Sequence, residues 1–229
     1  MHVDGDWHEI RVTTATAEDA EGKLLARQSR ARFLPVEEVA WVLLLLARSV
    51  GYQNARLRAF IADGAPWLWN MARQIFGSAV QILDWYHLAE HVHKAAKLLY
   101  GEESQEAKAW AKRLKDALWD GQVGTALTAI QAERTRVRSP VKRGALEELE
   151  RYLENNRERM DYPTYRAMGL PIGSGQVEAQ CKTLVGARCK LAGMRNWTYE
   201  GAEGVLRMRA ALQDGTYPRL WQNRLEAAA

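Results

Sequence analysis

The chain has 229 residues, 47% of them apolar and 26% charged, with a formal net charge of +4. That is enough chain for a sizeable core in one or two domains, of composition ordinary for a globular protein, and the charge balance alone assigns no partner. The longest apolar run, Val39 to Ala47, falls well short of the roughly 20 residues that span a bilayer, and no basic-then-apolar leader follows Met1, so no membrane partner and a cytoplasmic location are expected.

Trp7 to Ala15 alternates in the manner of a strand, and Lys23 to Phe33 forms a second. The polar segment TAEDAEG between them turns the pair into a hairpin. Pro35, with Glu37 and Glu38 behind it, opens a helix whose acids suit its first turn. That helix carries Trp41 and four consecutive leucines, is apolar nearly all round, and is therefore expected to be buried as far as Gly51. Leu57 to Ala62 is a short apolar run ending on Asp63-Gly64. Pro66 stands where it fits the first turn of a helix that stops at Gly77. A second short run, Ala79 to Leu83, delivers Asp84, and His87 follows three residues later. Strand, acid, helix, strand, acid is a βαβ unit with carboxylates at the carboxyl ends of its strands, the edge where ligands collect in open α/β sheets.

Helices are then predicted over Leu88–Tyr100, Ser104–Trp119, Gln122–Arg136 and Val141–Met160, an all-helical block that interrupts the α/β pattern. A loop rich in breakers, Gly169 to Gly175, leads to a helix over Gln176–Ala192 with Glu178 in its first turn, and to another over Thr198–Gln213. Cys181 and Cys189 lie roughly 12 Å apart along the first of these, beyond the about 7 Å a disulfide allows, so reduced thiols are expected.

Three acids brought to one sheet edge suit a two-metal site that clamps the attacking and leaving oxygens of a phosphodiester. Two of them have a plainer role, Asp63 as a turn former and Glu178 as a dipole-complementing residue, while Asp84 at the same sheet edge strengthens the functional case. Arg134 to Arg143 reads RTRVRSPVKR, five cations without an acid. It is a candidate phosphate-contacting patch or, alternatively, a solvated turn between helices. Trp67, Trp69 and Trp85 are expected in the core rather than stacked on bases.

The segments IADGAPWLWN, ILDWYHLAEH and GLPIGSGQVEAQCKTLVGARCKLAGM resemble bacterial DDE transposases of the ISKra type, within the Mutator-like group. The likeness runs from WHEIRV through VLRMRAALQDG. The resemblance implies an α/β fold with an RNase H-like core, a mixed sheet in ββαβαβ order, and a large all-α insertion before the last catalytic helix. On that scheme residues 1–102 are the first part of the core, 103–160 the insertion and 161–229 the core's C-terminal helices. Asp63 matches the family's second catalytic Asp and Glu178 its final Glu, both ligands for Mg²⁺ or Mn²⁺. Asp84 and His87 match the Asp-x-x-His element between them, with His87 positioning DNA or a carboxylate. Lys182, Arg188 and Lys190 share the Glu178 helix and, with Arg134, Arg136, Arg138, Lys142 and Arg143, would contact DNA phosphates. Partners would be transposon ends, target DNA and, in the active state, further copies of the chain.

The family's first catalytic Asp precedes the segment matching WHEIRV, and here that segment follows MHVDGD almost at once. The expectation is a missing first strand and Asp, with Asp4 and Asp6 in a hairpin turn, hence a truncated transposase with strand transfer lost. One alternative is a non-catalytic DNA-binding remnant. Another is a zinc peptidase, because His87-Leu-Ala-Glu90-His91 fits the H-x-x-E-H pattern and puts two imidazoles on one helix face.

Overall fold

The computed structural model describes residues 1–191 and 196–226; the predicted helix end at Ala192 and the motif residues Gly193 and Met194 lie outside them. The protein is a mixed α/β chain, mostly helical. Its first elements are β1 (His2–Val3), β2 (Asp6–Trp7), β3 (Arg11–Glu18), β4 (Leu24–Arg32) and α1 (Val36–Ser49). Then come β5 (Ala59–Ala62), α2 (Pro66–Ile75), β6 (Val80–Leu83), α3 (Trp85–Tyr100), α4 (Gln105–Trp119), α5 (Val123–Arg136), α6 (Pro140–Asn155) and α7 (Tyr162–Ala167). The last are α8 (Gly175–Gln180), a π-helical segment Cys181–Gly186, α9 (Ala187–Cys189), α10 (Tyr199–Gln213) and α11 (Tyr217–Glu226). Among the described residues the strands pair as three two-stranded ladders. The chain divides into two compact units, one of Met1–Arg56 with Gly175–Ala229, the other Leu57–Ser174.

In the first unit β3 and β4 form an antiparallel hairpin, with Val12 opposite Ala31. Val12 and Ala31 pack into a core with Leu184, Val185, Cys189, Ala202, Leu206 and Ala210. Helix α10 also grips β4 through two carboxylates. Glu203 accepts the Phe33 backbone N–H at 2.8 Å, and Asp214 accepts that of Ser29 at 3.2 Å. Arg32 and Arg30 neutralise the same two acids at 3.2 and 2.6 Å. Ser29 lies in β4 and Phe33 one residue past its end, and the two N–H groups, four residues apart, are closed by carboxylates of α10 and its C-terminal cap rather than left to template another strand. Asp4 and Gly5, at φ 49° and 91°, make the tight turn between β1 and β2, and Asp6 opens β2.

Two sequence expectations are corrected here. Helix α1 is not buried all round: Val39, Leu46 and Ala47 are, but Trp41 and Leu45 are 67% and 65% exposed. Apolar composition fixed the helix without fixing how much of it is covered. The helix predicted over Gln176–Ala192 is interrupted by the π segment. Arg209 reaches across from α10 and donates to the carbonyls of Leu184, at 3.1 Å, and Thr183, helping to satisfy backbone that a π bulge loosens. Cys181 and Cys189 are free thiols, and burial raises the pKa of both.

In the second unit β5 and β6 run parallel, with Ala59 opposite Val80 and Ala62 opposite Leu83. Pro66 takes the first turn of α2 as the sequence predicts, since its missing N–H is one the helix start leaves unpaired anyway. The helices that follow bury residues three and four apart. Leu88, Val92, Ala95 and Leu99 of α3 do so, as do Trp110, Leu114 and Leu118 of α4 and Leu146, Leu149 and Leu153 of α6. Each fully buried leucine is worth about 1.5–3 kcal/mol, which makes this helical face the unit's main source of stability.

Candidate functional site

Ala62 and Leu83 are register partners, so the residues that follow them, Asp63 and Asp84, leave the parallel pair side by side at its carboxyl edge. The Asp84 N–H donates to the Ala62 carbonyl at 2.8 Å and extends the ladder by one bond. Adjacent in the backbone, the two carboxylates live in opposite surroundings.

Asp84 is buried, with 2% of its surface exposed. One oxygen accepts the backbone N–H of Tyr86 at 2.7 Å and of His87 at 3.1 Å, capping α3. The other accepts the backbone N–H of Ser174 at 2.7 Å and the Ser174 hydroxyl. A carboxylate has about four acceptor positions, and these four donors fill them. The loop before Ser174 is held to the same place, for the Trp85 N–H donates to the Ile172 carbonyl at 2.9 Å. Asp84 thus fixes where α3 begins and where Ser174 sits.

Asp63 is exposed. One of its oxygens accepts the Ala65 N–H at 2.9 Å in an Asx turn, and the other has no partner among the described residues. This free, hard oxygen suits Mg²⁺, which keeps several waters and takes one or two carboxylates together with substrate phosphate. Among the described residues no three or more His, Cys, Asp or Glu side chains are grouped to share a metal ion. Glu178, the other predicted ligand, is an exposed residue of α8 in the first unit.

Three residues that the sequence reading passed over complete the edge around Asp63. The Tyr152 hydroxyl, from α6, donates to the Asp63 carbonyl at 2.7 Å. Asn156, almost fully buried, donates to the Tyr152 carbonyl at 2.9 Å and accepts the Trp69 indole N–H at 2.9 Å. Tyr162, wholly buried in α7, donates to the Leu83 carbonyl at 3.0 Å. Burial, then the negative charges of Asp63 and Asp84, push the Tyr152 phenol pKa up, so it remains a donor throughout the physiological range. Gly64 has φ +103°, and a Cβ there would stand 2.8 Å from a Tyr152 ring carbon. That glycine was the one local sign that something approaches closely.

His87 is half exposed, its Nδ1 3.7 Å from the Glu90 carboxylate. Its ring meets that of His91 edge-on at 5.0 Å, and His91 stacks on Tyr152 at 4.1 Å with 16° between the planes. Burial, then the nearby His87 and Lys94, lower the His91 pKa, which favours the neutral ring. The two imidazoles of the H-x-x-E-H pattern do share a face, but one is committed to an aromatic stack. Trp69 is core, beneath the Arg159 guanidinium at 4.6 Å, and Trp85 packs on Trp119 and Tyr162.

The basic residues fall into two groups. At the α5–α6 turn, Arg134 is tied to Glu150 at 2.7 Å, Lys142 to the Leu99 carbonyl, and Arg143 to the Val137 carbonyl at 3.4 Å. Arg136 pairs loosely with Glu133 at 3.8 Å and is 76% exposed, while Arg138 is exposed with no partner among the described residues. The five-cation run therefore presents chiefly Arg136 and Arg138 to an outside anion. In the first unit Lys182, Arg188 and Lys190 are exposed, Arg188 lying over the Trp197 ring at 5.0 Å.

Comparison with protein-family models, curated proteins and solved structures returned no match.

Proposed function

We propose that this chain is a DDE-type DNA transposase core of the ISKra kind, acting on phosphodiesters with Mg²⁺ or Mn²⁺. The observation that carries the reading is the pair of aspartates leaving register-matched parallel strands, one of them with a free carboxylate oxygen. The three sequence motifs and the helical block after the second aspartate support it, and the proposed fold is an RNase H-like core around a mixed sheet. Asp63 and Glu178 are the two carboxylates that the resemblance assigns to the metal. Asp84 holds the head of α3 and Ser174, so that His87 is presented at a fixed place beside DNA. Arg136, Arg138, Lys182, Arg188 and Lys190 contact backbone phosphates. In the intact family the bound metal would stabilise charge on the phosphate as water, and then a DNA 3′-hydroxyl, attacks; in this chain, which lacks the family's first Asp, strand transfer is expected to be lost.

The test is a calorimetric Mn²⁺ titration of this chain beside Asp63→Ala and Glu178→Ala, with Mn²⁺-dependent nicking of duplex DNA measured on the same samples. Binding lost in both variants upholds the reading, and equal binding in all three proteins refutes it. DNA binding that weakens with salt but brings no nicking assigns the chain a non-catalytic DNA-binding role instead. Replacing Arg136 and Arg138 together by alanine should lower the slope of log K against log salt by about 2. An unchanged slope removes the α5–α6 turn from the DNA surface.

A further inference from the structure

We propose that Tyr152 is a positioning residue for Asp63, by which helix α6 sets the orientation of the carboxylate at the end of β5. The proposal rests on the reading of Asp63 as a metal ligand. Four observations within the second unit converge on it. The Tyr152 hydroxyl donates to the Asp63 main-chain carbonyl at 2.7 Å, so it constrains the peptide from which the carboxylate projects. Gly64 admits the ring only because it has no Cβ, which would lie 2.8 Å from Cε2 and 3.2 Å from the hydroxyl. His91 lies flat on the ring at 4.1 Å, fixing its plane from α3, whose first turn Asp84 caps. Asn156 holds the Tyr152 carbonyl from one side and the Trp69 indole from the other.

The phenol is thus located by three elements, and its one polar atom is spent on the residue proposed to bind metal. Groups that orient a ligand, without touching the metal, commonly change affinity 10- to 100-fold. Tyr152 also lies in the helical block, which gives part of that block a role at the strand edge besides its own core.

The experiment compares the whole chain with Tyr152→Phe and Asp63→Asn. Phenylalanine keeps the ring against His91 and Gly64 and removes only the hydroxyl, so the melting temperature should move little. The Ala65 amide, held in the Asx turn by Asp63, should exchange about fivefold faster, the equivalent of one ordinary hydrogen bond. The Mn²⁺ dissociation constant should rise about tenfold. If Ala65 exchange and Mn²⁺ affinity both stay within twofold of wild type, Tyr152 is a packing residue and the proposal is overturned. If Asp63→Asn binds Mn²⁺ as well as wild type does, it is the ligand reading of Asp63 that fails. Faster Ala65 exchange in Tyr152→Phe would still uphold the orienting contact in that case.

Discussion

Replacing Asp84 by alanine removes four hydrogen bonds at one stroke, and the structure divides the cost into two parts. The cap on α3, made to Tyr86 at 2.7 Å and His87 at 3.1 Å, is a helix N-cap, whose loss costs about 1 kcal/mol and at most about 2. The second part is the Ser174 N–H, which donates to the other oxygen at 2.7 Å and would be left without an acceptor. Such an orphaned donor adds about 1–3 kcal/mol. The expected total is about 2–5 kcal/mol, a large share of the roughly 5–15 kcal/mol that holds most domains folded. Asp84→Asn separates the parts. Its carbonyl still caps α3, while its amide nitrogen meets Ser174 as one donor facing another, so only the second cost remains. Urea denaturation followed by circular dichroism gives the totals, and hydrogen exchange at Tyr86, His87 and Ser174 assigns them to places. In a double-mutant cycle with Ser174→Ala the two changes should couple by about 1 kcal/mol. Strict additivity, or an Asp84→Ala loss below about 1 kcal/mol, would refute this account of a filled carboxylate.

Gly64→Ala should destabilise by about 2 kcal/mol or more, since alanine is strained at φ +103° and its Cβ would meet Tyr152 at 2.8 Å. A loss under about 0.5 kcal/mol in urea denaturation would mean the ring moves aside at little cost. His91 titrates below its ordinary value when folded, because burial and then His87 and Lys94 disfavour the cation. The unfolded chain therefore takes up this proton first. Its contribution is present in full above about pH 6.5 and fades as pH falls through the lower folded value. In His91→Gln the decline of the urea midpoint below pH 6.5 should be shallower, and an imidazole titration at or above 6.5 by NMR would contradict this. Glu203→Ala takes the acceptor from the Phe33 N–H and leaves Arg32 and Arg207 without their common partner, so a loss of about 2–4 kcal/mol is expected. Unaltered stability, with no gain in self-association, would show that α10 does not guard the β4 edge.

What the sequence made legible was the local pattern. Two short apolar runs, each ending on an aspartate, marked β5 and β6 because a strand of four residues needs only its own run and a stop. Pro66 and Ser104 marked helix starts for equally local reasons. Contacts distant in sequence were not legible. Tyr152 stands 89 residues from the Asp63 carbonyl it binds, in a helix where a tyrosine looks like any partly covered aromatic. Ser174 reaches Asp84 across 90 residues. The π segment escaped because its loosened carbonyls are answered by Arg209, 25 and 26 residues further on, and no rule of spacing inside Gln176–Cys189 records that. Helix α1 misled in the opposite sense, its leucines specifying an apolar helix but not which side would be covered.

The two aspartates show why spacing alone could not divide the labour at this edge. Each follows a four-residue strand, and each stands one position past a register pair, so pattern and topology treat them alike. They differ in what lies over them. Asp84 begins a helix at once, and its oxygens are claimed by that helix and by Ser174, which leaves no capacity for a cation. Asp63 is followed by Gly64 and an Asx turn that delays α2 to Pro66, and this interval leaves one oxygen open. The glycine lets Tyr152 approach and postpones the helix, so one Asp63 oxygen stays open while the oxygens of Asp84 are all claimed.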